Sequence, residues 1–342
     1  MYTRILVPLD GSTRAERAIP VAARIARTSG GAVILVRAVN IAIGIWPSLA
    51  GYATDVPSAL DAGQAAADEY LAGIKQAPEL AGIPTETRTL SGPVGEAILA
   101  VAESSQADLI VLCSHGYTGM TRWALGSVAE KVARYALVPV LVLREAGPVP
   151  AGPHPDLTRP LRVLVPLDGS VLAKAALEPA TSLIAALSAP AQGTLHLVRV
   201  VKPVLPGREE KDPEEQEHFL YKAKRYLSAT VEQLRAGLVA SALVHLKLPI
   251  TWSVVIDTDV AAGIVRVAEN GEDAAGAGVF GRCDVIAMAT HGHGGMLRWA
   301  MGSITERVLH ATRLPLLIVR PPTMLDKSKV TWDAATLSAT QG

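Results

Sequence analysis

Residues 4–12 read RILVPLDGS, and residues 162–170 read RVLVPLDGS. A short run of Ile, Leu and Val that ends in a turn is what a strand buried on both faces requires. Its return marks a repeat that continues on both sides. AVILVRAV (32–39) returns as GTLHLVRV (193–200), TETRTLSGPVGEAILAVAE (85–103) lines up with TWSVVIDTDVAAGIVRVAE (251–269), and GSVAEKVARYALVPVLVLR (126–144) with GSITERVLHATRLPLLIVR (302–320). The glycine-rich loop HGYTGMTRWALGS (115–127) returns as HGHGGMLRWAMGS (291–303), with nine of thirteen positions identical. The offset between copies grows along the chain, so the second copy carries insertions. The largest, NGEDAAGAGVFGR (270–282), reads as a mobile surface loop. A repeat of this length is a whole domain rather than a solenoid unit.

Each copy alternates strand and helix. In the first, strands are expected at 3–9, 32–39, 84–90, 108–114 and 139–143, and helices at 13–28, 59–76, 94–105 and 127–137. Thr13 and Glu16 have capping-box spacing, and Pro20 bends or shortens the first helix. Such alternation predicts an α/β fold: two tandem doubly wound domains, each a five-stranded parallel sheet in the order 3-2-1-4-5 with helices on both faces. The domains are expected at 1–144 and 161–320. Residues 145–160, with five prolines, read as a linker, and 321–342 as a disordered tail.

Composition limits the function. The chain of 342 residues holds 32 Lys plus Arg against 32 Asp plus Glu, which argues against a general nucleic-acid binder. No stretch reaches the ~18 uninterrupted apolar residues of a membrane helix, and the N-terminus shows no signal-peptide pattern. Cys113 and Cys283 form no metal or disulfide framework and read as free thiols in a reducing cytoplasm.

In a doubly wound sheet, ligands bind at the carboxyl ends of the strands where the strand order reverses. Both repeated features fall there: Pro8, Leu9 and Asp10 (Pro166, Leu167 and Asp168), and the segment from Cys113 to Ser127 (Ala289 to Ser303). Gly126 and Ser127 open a helix whose unpaired N–H groups and dipole suit an anion, and Arg122 adds a charge. Gly302, Ser303 and Arg298 repeat the arrangement. The same residues have plainer uses. Ser127 and Ser303 serve as helix N-caps, the glycines serve the turn, and each Asp stabilises its own turn. The alternative for Asp10 and Asp168 is a carboxylate that accepts hydrogen bonds from a ribose or an adenine. His115 and His291 have too few neighbouring ligands for a metal site and read as turn or phosphate-neighbouring residues. Trp123 and Trp299 read as packing residues.

At these residues the chain resembles the universal stress protein family in its tandem two-domain form. The ATP-binding branch carries glycine, two residues, glycine, nine residues, glycine, then Ser or Thr. Gly116, Gly126 and Ser127 match the last points, as do Gly292, Gly302 and Ser303, whereas Cys113 and Ala289 stand at the first glycine. The resemblance implies ATP or another adenine nucleotide as ligand, with magnesium as a companion. Asp10 and Asp168 would then face the adenosine, Ala38 and Val200 would lie near the adenine, and Ser127 and Ser303 would hold phosphate. Val128 and Ile304, next along each helix, complete the implied set. It also implies an intrachain pseudo-dimer, a homodimer as the further assembly, and a regulatory protein partner. Two alternatives stay open: a stress protein that binds no nucleotide and acts through its surfaces, and a slow ATP hydrolase. For the latter, no repeated acid near the loop resembles a dedicated base or magnesium ligand, and the P-loop lysine is absent.

Overall fold

The structure, a computed structural model, describes residues 1–39, 56–114, 125–144, 160–188, 192–204, 213–239, 248–274, 278–291 and 301–321. In chain order the first half runs β1 (Arg4–Pro8), α1 (Thr13–Glu16), α2 (Ala18–Ser29), β2 (Ala32–Val39), α3 (Val56–Lys75), β3 (Thr85–Ser91), α4 (Val94–Ser104), β4 (Leu109–Cys113), α5 (Ser127–Tyr135) and β5 (Val140–Leu143). The second runs β6 (Arg162–Pro166), α6 (Val171–Lys174), α7 (Leu177–Ser188), β7 (Thr194–Val201), α8 (Pro213–Arg235), β8 (Ile250–Ile256), α9 (Val260–Asn270), β9 (Glu272–Ala274), β10 (Gly278–Phe280), β11 (Val285–Ala289), α10 (Ser303–Ala311) and β12 (Leu316–Val319).

Each half is a parallel sheet in the expected order, and the two join edge to edge as β3-β2-β1-β4-β5-β12-β11-β6-β7-β8. Burial follows strand position. Ile5, Leu6 and Val7 of β1 are fully buried, whereas β3, at the outer edge, reads TETRTLS and carries no buried residue. Among the described residues the junction is the one antiparallel pairing in this sheet, with Leu316 opposite Val142, Leu317 opposite Leu141 and Ile318 opposite Val140. Leu141 and Leu317 hold the same place in the two copies. A local twofold axis therefore passes between them, the closed symmetry that satisfies both edge strands within one chain. Helices repeat the symmetry. Helix α2 packs on its counterpart α7. Arg134 Nη2 donates to Glu130 Oε1 at 2.9 Å and to Glu306 Oε1, the counterpart of Glu130, at 3.1 Å.

The apolar face of α7 explains why 171–188 has the length and hydropathy of a membrane span: most of it is buried inside the protein. It is also two helices, not one. Pro20 and Pro179 lack the N–H that would bond the carbonyl four residues earlier, so the chain breaks after Glu16 and after Lys174 and starts again. The expected single helix at 13–28 is thus α1 and α2. Its cap is Ser12 rather than Thr13, with Ser12 Oγ accepting from Ala15 N at 3.2 Å, so the capping box from Thr13 to Glu16 does not form.

The expected surface loop at 270–282 is corrected too. It forms an antiparallel hairpin of β9 and β10. Phe280 is buried and stacks on His196 with ring centroids 4.0 Å apart. The insertion therefore contributes Phe280 to the core. The expected linker and tail lie outside the described residues, apart from Pro160 and Pro321.

The opposite, amino edge of the sheet is tied by a carboxylate in each half. Asp108 accepts from Thr3 N at 2.7 Å and Arg4 N at 3.0 Å, and Asp284 accepts from Arg162 N at 2.8 Å. These bonds fix the first strand against the fourth at that edge.

A fragment of residues 1–144 is expected to fold and to dimerise, because it exposes β5, whose four residues are buried in the full chain. Sedimentation should give a dimer with native far-ultraviolet dichroism. A folded monomer or an unfolded chain would contradict the junction described above.

Candidate functional site

The ends of β1, β4 and β5 lie side by side, since β4 pairs with both of the others. At the first, Asp10 Oδ1 accepts from Ser12 N at 2.9 Å and from Ser12 Oγ at 2.6 Å. Asp168 Oδ1 accepts from Ser170 N at 2.9 Å. The turn-stabilising use of these carboxylates is therefore realised through one oxygen of each. Gly11 and Gly169 have φ of +89° and +93°, a backbone that side chains rarely adopt. Leu9 and Leu167 are buried, and their N–H groups donate to Val36 O and Val198 O at 2.8 Å. They anchor the turn by packing, with Pro8 and Pro166 half-buried beside them. Ala38 and Val200 are half-buried near the ends of β2 and β7.

Two residues that sequence reasoning missed, Arg37 of β2 and Arg199 of β7, pack against these turns. A Cβ on Gly11 would come within 3.2 Å of Arg37 Nη2, and one on Gly169 within 3.2 Å of Arg199 Nη1. Arg37 and Arg199 stack over Tyr70 and Tyr226, at 4.7 and 5.2 Å from the ring centroids. The signal was available, because both arginines sit inside the quoted strand repeat and interrupt an apolar run at matching places.

The strand-4 loops are closed at the neck. Gly126 N donates to Ser114 O, and Gly302 N to Thr290 O, each at 2.8 Å. A Cβ on Gly302 would lie 2.8 Å from Thr290 O, so that glycine is required by the neck itself. Cys113 is half-buried with its sulfur 3.9 Å from Ala15 O, and Ala289 is buried. Both replacements for the first glycine thus belong to packed strand ends. His291 Nδ1 lies 3.1 Å from Thr290 Oγ1. His115, Gly116, Arg122, Trp123, Gly292, Arg298 and Trp299 lie outside the described residues.

Helices α5 and α10 begin at Ser127 and Ser303, and their N-caps are Gly126 and Gly302. The serines are therefore the first helical residues rather than N-caps, which corrects the plainer use expected for them. Both are exposed; Val128 is exposed and Ile304 half-buried. The first intrahelical bond of α5 runs from Glu130 N to Gly126 O at 2.9 Å. The N–H groups of residues 127–129 thus have no acceptor in the helix, and the dipole adds about half a positive charge there.

Arg144 follows β5 directly. Alternation along β5 puts residue 144 on the face of Val140 and Val142, against which α5 packs through Ala129 and Val132. The side chain is 8 % exposed, and its Nε and Nη2 are buried without a hydrogen-bond partner. Burial pushes the guanidinium down to about 10. A desolvated cation left unpaired is costly, and an anion beside it removes the cost. Arg17 Nη1 donates to the Arg144 carbonyl at 3.2 Å, which ties the break between α1 and α2 to the same edge. Arg320, the counterpart of Arg144, is half-buried, and its guanidinium is also lowered by burial. Among the described residues, no group of three His, Cys, Asp or Glu side chains is placed to hold a metal ion.

The fold defines a tandem doubly wound α/β protein whose two halves present related carboxyl edges. The model of the universal stress protein family matches residues 1–144 and 161–320, and the chain belongs to that family. A universal stress protein of Methanocaldococcus jannaschii is 33 % identical over 147 residues, covering 42 % of this chain and 84 % of that protein. One from Mycobacterium tuberculosis is 25 % identical over 325 residues, covering 92 % of this chain and 96 % of that protein. The crystal structure of a universal stress protein from Archaeoglobus fulgidus superposes with a TM-score of 0.60 at 19 % identity, covering 93 % of this chain and 98 % of that one.

Proposed function

We propose that the protein binds ATP or another adenine nucleotide at the carboxyl edge of one or both domains, 1–144 and 161–320, and that occupancy biases its contact with a regulatory protein partner in the cytoplasm. The observation that carries this reading is Arg144: a buried guanidinium with two unpaired nitrogens, on the face and edge where α5 opens with three N–H groups that have no acceptor within the helix. A phosphate would satisfy both. The Asp10 and Asp168 turns supply carboxylates on the adenosine side of each cradle, and the half-buried Ala38 and Val200 supply apolar surface. Cys113 leaves the cradle open in this reading, because its sulfur is drawn toward α1.

Replacing Ser127 and Ser303 together by Glu puts a carboxylate at each helix start. Nucleotide affinity is expected to fall by about a hundredfold, the effect of ~3 kcal/mol of lost and reversed electrostatics. Calorimetric titration checks it, and unchanged affinity would remove the phosphate from both helix starts.

A further inference from the structure

The two halves carry matching clusters on the sheet face opposite α5 and α10, and the clusters differ at one charge. In the first, Tyr70 donates its hydroxyl proton to Glu16 Oε1 at 2.8 Å while Arg37 lies over its ring. Burial, with Glu16, pushes the Tyr70 phenol well above its usual range. In the second, Arg199 lies over Tyr226, but the place of Glu16 is taken by Lys174. Lys174 Nζ sits 5.2 Å from the Tyr226 ring centroid and donates to Gln233 Oε1 at 3.0 Å. The Tyr226 hydroxyl is buried with no hydrogen-bond partner. Thr230, a neighbouring hydroxyl, gives its own proton to the Tyr226 carbonyl at 2.8 Å.

With the carboxylate that closes each first strand included, Asp10, Glu16 and Arg37 sum to one negative charge, and Asp168, Lys174 and Arg199 to one positive charge. The second cluster thus has an excess cation and a phenol donor lacking an acceptor. An oxyanion supplies both deficits at once. We propose that the second half binds an oxyanion between Lys174, Arg199 and Tyr226, and that Glu16 excludes it from the first half. Lys174 and Arg199 are half-buried, so they remain open to solvent, and Lys174 swings from the ring to admit the anion to the phenol. Arg199 presents a planar fork suited to phosphate or carboxylate, and Lys174 a point charge. The site goes beyond the nucleotide reading: Tyr226 packs on the α7 side of the sheet, whereas Ser303 opens α10 on the other.

The experiment titrates the full chain with inorganic phosphate and separately with AMP, following heat and 31P line width. The expected result is phosphate uptake by the wild type that weakens about tenfold in Lys174→Glu, where the first-half chemistry is restored. Tyr226→Phe should weaken it about threefold, and Glu16→Lys should add a second phosphate per chain. Response to phosphate alone identifies a free oxyanion. Response to AMP only, still lost in Lys174→Glu, identifies an oxyanion carried on a nucleoside. Ser303→Glu separates this from the nucleotide cradle: uptake persists in that variant even if the cradle reading fails. Equal uptake by Lys174→Glu and wild type, no response to either ligand, or loss in Ser303→Glu alone would each overturn the site. Should Lys174→Glu fail to fold, Tyr226→Phe and Glu16→Lys decide it: no weakening in the first and no second phosphate in the second would overturn the proposal.

Discussion

Acidification from pH 7 to pH 4 is expected to cost the second domain about 3 kcal/mol through one side chain, His196. His196 is fully buried on β7, between the hydroxyls of Thr251 (2.7 Å from Nδ1) and Ser253 (3.0 Å from Nε2), and beneath Phe280. A neutral imidazole donates through one nitrogen and accepts through the other, so both hydroxyls are served without a charge. Burial lowers its pKa from 6.5 to about 3. The sign follows from linkage: below 6.5 the unfolded chain takes up a proton that the folded chain refuses until about pH 3. Stability is therefore lost as pH falls between those values. Ile34 holds the equivalent place in the first half, since Leu6 pairs with Ile34 as Leu164 pairs with His196. In His196→Ile, the two hydroxyls lose their partner, which costs about 1–3 kcal/mol at pH 7. The pH-dependent loss, however, should shrink by about 3 kcal/mol relative to wild type. Denaturant unfolding of both proteins at pH 7 and pH 4 measures this difference, and parallel losses would contradict it.

Arg144→Met should have opposite effects on stability and affinity. A methionine of similar length replaces an unpaired buried cation, so the ligand-free protein is expected to gain about 1–3 kcal/mol. The same change removes the charge that a phosphate would meet, and adenine-nucleotide affinity should fall at least about tenfold. Thermal unfolding without ligand, and titration with it, read the two effects separately. A destabilised variant with unchanged affinity would make Arg144 a packing residue and remove the main support for the cradle in the first domain.

Much of the fold was legible because its signals are local. Continuous apolar runs at β1, β4 and β5 give strands buried on both faces, and Pro20 announces a break in the first helix. What escaped depends on distant contacts. The hairpin strands 272–274 and 278–280 have a glycine-rich sequence typical of loops, and it is the stacking of Phe280 on His196 that ties them to the core. Ser12 displaces Thr13 as the cap because the Asp10 turn, which the sequence does show, sets where the helix begins. The edge-to-edge junction has no local signature beyond the apolarity of both last strands. At the candidate site, the repeated turns and helix starts were readable, but Arg37, Arg199 and Arg144 were not singled out. Their significance comes from burial and from neighbours far along the chain.

The nucleotide content of the freshly purified protein, released by denaturation and counted per chain, tests the central claim most directly. Adenine nucleotide is expected near one per chain if the domains have diverged, and near two if both cradles work. No nucleotide on the purified protein, together with no uptake when ATP is titrated in, would contradict it and leave a protein that acts through its surfaces alone.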